Sequence, residues 1–170
     1  MQGTLIRLTF LVAMLFPSAP ALAASAGSAS AIDLVHVEKR AGTVTLLSRG
    51  RPVRRYLIKA LGAAPEGHKE REGDERTPEG LYYIDEKHES ARYRYFIGIS
   101  YPSARDRQRA ARLGVAPGGA IGIHGFSQGP EGVAQRRSRY WTDGCIALED
   151  ADVAELYQLV TPGTPIRIKP

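Results

Sequence analysis

The segment RRSRYWTDGCIALED, Arg136 to Asp150, holds Cys145, the single cysteine of a 170-residue chain. A lone thiol cannot close an internal disulfide. It is left with inert packing as a small hydrophobe, metal ligation or nucleophilic attack. A nucleophile needs a neighbour to take its proton, because free cysteine is only slightly ionised near neutral pH. The chain offers four histidines. His36 sits within a strand pattern, and His68 and His88 fall in polar turns, so these three read as structural or solvated. His124 ends the apolar run AIGIHG and is followed by Gly125, which presents an imidazole at a strand end, a place where functional side chains gather. Zinc would need three or four ligands, and Cys145, His124 and Asp143 lack any recognised ligand spacing, so no metal is expected. A redox role is weaker still, since no second cysteine exists to resolve a mixed disulfide.

These residues must be positioned by the elements around them. IDLVHVEKR, GTVTLLS and PVRRYLIKA are β-branched and aromatic runs separated by the turn-like KRAG and SRGR, and Gly50 is available for positive φ. In the third run Tyr56, Ile58 and Ala60 share one face, while Arg55 and Lys59 share the other. LYYIDE and YRYFIGISY follow, and Tyr93, Tyr95, Ile97, Ile99 and Tyr101 recur at a period of two, the mark of a half-buried strand. EGHKEREGDERTPEG between them reads as a surface loop. SARDRQRAARL predicts a short basic helix with Ser103 as its N-cap. After Cys145, Asp150 can cap a helix whose Val153, Leu156, Tyr157 and Val160 follow the helical period. Pro162 and Gly163 stop it, and TPIRIK gives a last strand. The expected fold is mainly β, with one or two short helices and the cysteine just before the C-terminal helix.

The N-terminus has a different composition. MQGTLIRLTFLVAMLFPSAPALAA carries one cation at Arg7, an apolar run from Leu8 to Phe16 and the small-residue site Ala21-Leu22-Ala23, the layout of a cleaved secretory signal peptide over residues 1–23. The apolar run is short for a membrane span, so no stable membrane anchor is expected. Residues 24–31 read as a flexible leader and residues 32–170 as one domain. Export places the thiol where disulfides persist, which makes an unpaired cysteine a candidate reactive thiol. The formal net charge of +5 suits anionic polymers or carboxylate-bearing substrates. The compartment and the lack of a basic recognition helix argue against nucleic acid.

IHGFSQG … YWTDGCIALED resembles the signature of the L,D-transpeptidase (YkuD-like) catalytic domain family: a His-Gly, a gap of about twenty residues, then Ser/Thr-x-Gly-Cys. ERTPEGLYYID resembles its Thr-Pro-x-Gly strand entry, and LGAAPEGHK and YPSARDRQRA resemble segments of one bacterial subgroup. The likeness runs from about Leu34 to Ile168. It implies a β-sandwich or barrel with Cys145 at the mouth of a groove and a peptidoglycan stem peptide as substrate in the periplasm. Cys145 would attack the carbonyl of the third stem residue and expel D-alanine, with His124 as base and then acid. The N–H groups of Gly144 and Cys145 would hold the oxyanion. No cofactor is implied. The acyl acceptor would be a stem amine or the lysine of an outer-membrane lipoprotein. Water as acceptor would make the protein a carboxypeptidase or a hydrolase of such links.

Two positions depart from the family's pattern. Asp143 stands where the family usually has His; its carboxylate opposes thiolate formation, and it would orient His124, receive the acceptor's ammonium, or simply bond nearby loop N–H groups. Ala147 stands where an Arg is common, and Arg139, within QRRSR, is the candidate to replace that contact with a stem carboxylate; the alternative is a solvated basic loop. With Thr142, Asp143 and Arg139 make the expected substrate-binding set. A non-catalytic wall-binding module is the rival reading. It predicts a sluggish thiol, whereas the enzyme predicts a thiol of low pKa.

Overall fold

The alternating runs become strands in the computed structural model, which describes residues 31–170. Val35 and Val37 of β1 (Leu34–Glu38), Val44 and Leu46 of β2 (Thr43–Ser48) and Tyr56 of β3 (Arg51–Leu57) turn inward and are buried. β2 and β3 form a hairpin whose turn puts Arg49 and Gly50 at φ 51° and 71°. Consecutive left-handed residues match the twist of a tight hairpin, and glycine adopts that conformation without a Cβ clash.

The remaining elements are β4 (Leu61–Gly62), β5 (Gly80–Ser90), β6 (Arg94–Ile99), α1 (Ala104–Leu113), β7 (Gly122–His124), α2 (Pro130–Gln135), β8 (Tyr140–Thr142), β9 (Ile146–Ala147), α3 (Asp150–Leu159) and β10 (Pro165–Lys169). Eight strands form one mixed sheet in the order β3-β2-β1-β10-β5-β6-β7-β9, and β4 pairs with β8 in a separate two-stranded ribbon. The long β5 belongs to both halves of the large sheet, with a register irregularity between Ile84 and Lys87 where they meet. Such a bulge bends a strand and sharpens its twist. Just after β3, Ala60 bridges Ala147 of β9: the Ala147 N–H donates to Ala60 O at 2.8 Å and Lys59 N–H to Ala147 O at 2.8 Å. One margin of the sheet is thereby tied to the other, around a core that includes Ile84, Ile97, Ile123, Ile146, Leu148, Leu156 and Ile166. This is the mainly β architecture that the sequence predicts.

Local differences have local reasons. There are three helices among the described residues, not one or two. α2 is too short to show a helical period, but begins at Pro130 behind Gly129 at φ 76°. α1 has Ser103 as its N-cap, in a full capping box with Asp106. α3 starts one residue after Glu149, which makes no side-chain cap. Asp150 is instead committed to the neighbouring loop, where it accepts the Phe126 N–H at 2.8 Å. His88 lies on β5, stacked on Phe96 opposite it, and not in a turn. The loop between β4 and β5 is not merely a surface loop, since Lys69 and Thr77 within it are 2% and 0% exposed. No helix among the described residues is long and apolar enough to cross a membrane. The expected signal peptide, and all but the last residue of the leader, lie outside the described residues.

Candidate active site

Parallel pairing of β7 with β9 sets Ile123 beside Ile146 and His124 beside Ala147. Side chains alternate along a strand, so His124 and Cys145, one residue before β9, project to the same side while Ile123 and Ile146 enter the core. Both line a cavity of about 790 Å³, together with Lys69, Arg92, Tyr93 and Trp141.

His124 is 2% exposed. Its Nδ1 lies 2.7 Å from Gly125 O, the geometry of an N–H donor on a carbonyl, which leaves Nε2 as the basic nitrogen. The Tyr93 ring stacks on the imidazole at 3.9 Å between centroids, and Trp141 flanks it at 5.7 Å. Burial disfavours the imidazolium and pushes its pKa down to about 4, with the nearby Arg92 acting in the same direction. A Cβ at Gly125 would displace the Asp150 carboxylate that accepts the Phe126 N–H.

The Cys145 thiol is half-buried and points toward Ala120 O at 3.5 Å. Burial pushes its pKa up to about 11, and the Asp143 carboxylate pushes the same way. The Gly122 N–H and the Lys69 ammonium oppose them. The low-pKa thiol expected of an enzyme is therefore not what the resting site holds. With the imidazole pushed down and the thiol pushed up, chiefly by burial, both groups are held toward their neutral forms.

Gly144 adopts φ 124°, and a Cβ on it would collide with Arg76 O, so both backbone and space require glycine here. Its N–H donates to Thr142 Oγ1 at 3.3 Å, and the Thr142 hydroxyl donates to Cys145 O at 2.7 Å. Thr142 thus closes the turn that presents the thiol. The Gly144 N–H, expected at the oxyanion, already has a partner.

Asp143 is exposed at the cavity margin, and its backbone carbonyl accepts from Lys69 Nζ at 3.3 Å. It does not orient His124, because Gly125 O holds that role. Arg139 is not among the residues lining the cavity. It precedes β8, whose pairing with β4 carries it to the opposite side of the ribbon. Ala147 is fully buried in the seam with Ala60, where a guanidinium has no room.

The cations present are ones that sequence reasoning missed. Arg92, in the turn between β5 and β6, pairs with Glu131 of α2 and donates to Ser127 Oγ at 3.3 Å. Lys69 is paired with Asp74 at 2.8 Å, and Asp74 also accepts the N–H groups of Glu70, Arg71 and Arg76. That concentration of donors holds the Asp74 carboxyl at about 2, well below the usual range. The one signal in the sequence was an Asp amid cations in a glycine-punctuated loop.

Comparison with known proteins finds the same fold elsewhere. Similar solved structures include the helical cell shape determining protein Pgp2 from Campylobacter jejuni, at 24% identity, TM-score 0.66, over 81% of this chain and 47% of that one. Bd1075 from Bdellovibrio bacteriovorus is similar at 21% identity and TM-score 0.57, over 83% and 49%. An L,D-transpeptidase from Mycobacterium smegmatis is similar at 17% identity and TM-score 0.53, over 81% and 58%. The chain thus spans about half the length of these proteins, with which it shares the fold. No curated protein matches it. The model of the L,D-transpeptidase catalytic domain, YkuD, matches residues 32–168, so the chain belongs to that family.

Proposed function

We propose that this chain is an exported, cysteine-dependent peptidoglycan L,D-transpeptidase acting in the periplasm, with residues 1–23 as its signal peptide, 24–31 as a flexible leader and 32–170 as its catalytic domain. The observation that carries the reading is that Cys145 and His124 open into one cavity with Nδ1 anchored on Gly125 O. Nε2 is then free to accept the thiol proton.

Because the resting pair is neutral, the proton moves as the bond forms. Sγ attacks the carbonyl carbon of the third stem residue while its proton passes to Nε2, and the Cys145 N–H stabilises the oxyanion. Gly122 N–H and Lys69 favour the sulfur's developing negative charge, as they already do in the resting site. Collapse of the tetrahedral intermediate breaks the C–N bond, and the imidazolium returns the proton to the leaving D-alanine amine. The product is a thioester on Cys145. An amine acceptor then attacks the thioester carbonyl and gives a proton to Nε2; collapse breaks the C–S bond, and the imidazolium returns that proton to the departing sulfur, restoring the thiol. Asp143, at the margin, meets the acceptor's ammonium. Arg92 and Lys69 are the cations available to a stem carboxylate.

The acceptor is a second stem amine in this reading. A lipoprotein lysine or water is the alternative, and water would make the protein an L,D-carboxypeptidase or hydrolase. The test is intact mass of the mature protein and its products after incubation with a disaccharide-tetrapeptide, beside Cys145→Ala. Loss of D-alanine with a Cys145-dependent acyl adduct or a cross-linked dimer is expected. Tripeptide alone would replace transferase by hydrolase. No adduct and no turnover would favour a wall-binding module.

A further inference from the structure

Arg139, excluded from the Cys145 cavity, lines two others. One, of about 310 Å³, has a floor of Ile58, Ala60, Leu61 and Pro65 and a rim that includes Arg40, Lys59, Arg139 and Tyr140, with Glu66 as the exposed acid among them. The second, of about 480 Å³, adds Arg137 and the exposed Leu57. The two share Gly42, Ile58, Lys59 and Arg139, so they form one continuous groove. Neither shares a lining residue with the Cys145 cavity. The β4–β8 ribbon stands between them: Tyr140 lines the groove, while Trp141 and Thr142 line the catalytic side.

The charges of this groove are unevenly paired. Lys39 is committed to Glu79 at 2.7 Å, and Lys59 faces Glu149 at 3.4 Å. Arg136 is spent on Glu149 and Asp150 and lies over the Phe126 ring. Arg40, Arg137 and Arg139 are exposed and have no ion pair among the described residues. Guanidinium groups recognise carboxylates through paired N–H donors, and the small apolar floor accepts methyl-sized side chains. A cavity of this size with an apolar floor and a few convergent polar groups is the usual form of a ligand site.

We propose that this groove is a second binding site, for a carboxylate-bearing peptide segment with small apolar side chains, held on the far side of the ribbon from Cys145. In the setting of the proposed function, that segment is another stem of the same polymer, so one wall strand would be gripped while a different stem reacts. The identity of the ligand rests on that reading; the groove's own charge and shape do not.

The test is co-sedimentation of the whole chain with purified peptidoglycan, and with the same peptidoglycan after its carboxylates are amidated. The variant R40Q/R139Q should weaken binding at least tenfold at fixed salt. R105Q/R112Q, which removes two exposed cations from α1 for the same change in net charge, should leave it within twofold. Amidation should weaken binding of the parent chain at least as much as R40Q/R139Q does, and this arm needs no variant to fold. If R40Q/R139Q sediments like the parent or like R105Q/R112Q, the site is wrong. Undiminished binding to amidated polymer overturns the carboxylate assignment. Acyl transfer is scored separately with Cys145→Ala: arginine-dependent binding without acyl transfer would keep the groove and remove the enzyme reading, and the converse would remove only the groove.

Discussion

At the scale of the residue, the thiol and the imidazole depend on what surrounds them more than on each other. Burial sends the two pKa values in opposite directions, to about 11 for Cys145 and about 4 for His124, and each shift keeps the group neutral. A neutral thiol alkylates slowly at pH 7, with a rate that climbs toward pH 11. Asp143→Asn removes a charge that disfavours the thiolate, so it should lower the thiol pKa and speed alkylation at pH 8 severalfold. Lys69→Met should do the reverse. Stopped-flow titration with a thiol reagent reads both, and an unchanged profile in Asp143→Asn would show that its carboxylate is too well solvated to matter. Gly144→Ala should abolish acyl transfer and cost about 3 kcal/mol or more, since φ 124° and the contact with Arg76 O both exclude a Cβ. Thermal unfolding beside a turnover assay checks that.

At the scale of the element, the longer helices and strands follow from their patterns, while the six-residue α2 and the loop between β4 and β5 do not. The loop's fold is organised by Asp74, which accepts three backbone N–H groups and pairs with the buried Lys69. Asp74→Asn would leave an ammonium buried without its counter-charge, a loss of about 3 to 5 kcal/mol. The expected result is a lower melting temperature and easier proteolysis within residues 66–79; melting within a degree of the parent would mean that Lys69 finds another partner. The short β8 matters as a divider. Tyr140 faces one cavity and Trp141 the other, so a three-residue strand separates the candidate active site from the basic groove. Thr142 lies on the catalytic side with Trp141, so the division is not plain strand alternation and depends on the irregular pairing with β4.

At the scale of the whole molecule, the closed sheet is what buries His124, and burial makes its titration a stability term. An unfolded histidine titrates near 6.5 and folded His124 near 4. Above pH 6.5 both states are neutral and the contribution is complete. As pH falls, the unfolded chain takes the proton first, and stability declines by about 3 kcal/mol as pH approaches 4. Urea unfolding at pH 7 and pH 4.5 should show this loss in the parent and a flatter profile in His124→Gln. Equal slopes would mean that the imidazole reaches water in the folded state.

The amino-acid sequence determined what depends on neighbours in the chain: strands from period-two alternation, α1 from its capping box, and the Thr142-Asp143-Gly144-Cys145 turn from residues within hydrogen-bonding reach of one another. It also picked out His124, because a strand end followed by glycine is a local feature. It misplaced Arg139 and passed over Arg92 and Lys69. Proximity along the chain was the wrong measure there, since β8 turns Arg139 away and the β5–β6 turn brings Arg92 in. Only the tertiary structure decided that the pair is neutral, that Gly125 O and not Asp143 orients the imidazole, and that Ala147 is sealed against Ala60. Each of these depends on which distant segments exclude water from a given atom, and solvation is a property of the packed fold, not of the sequence window.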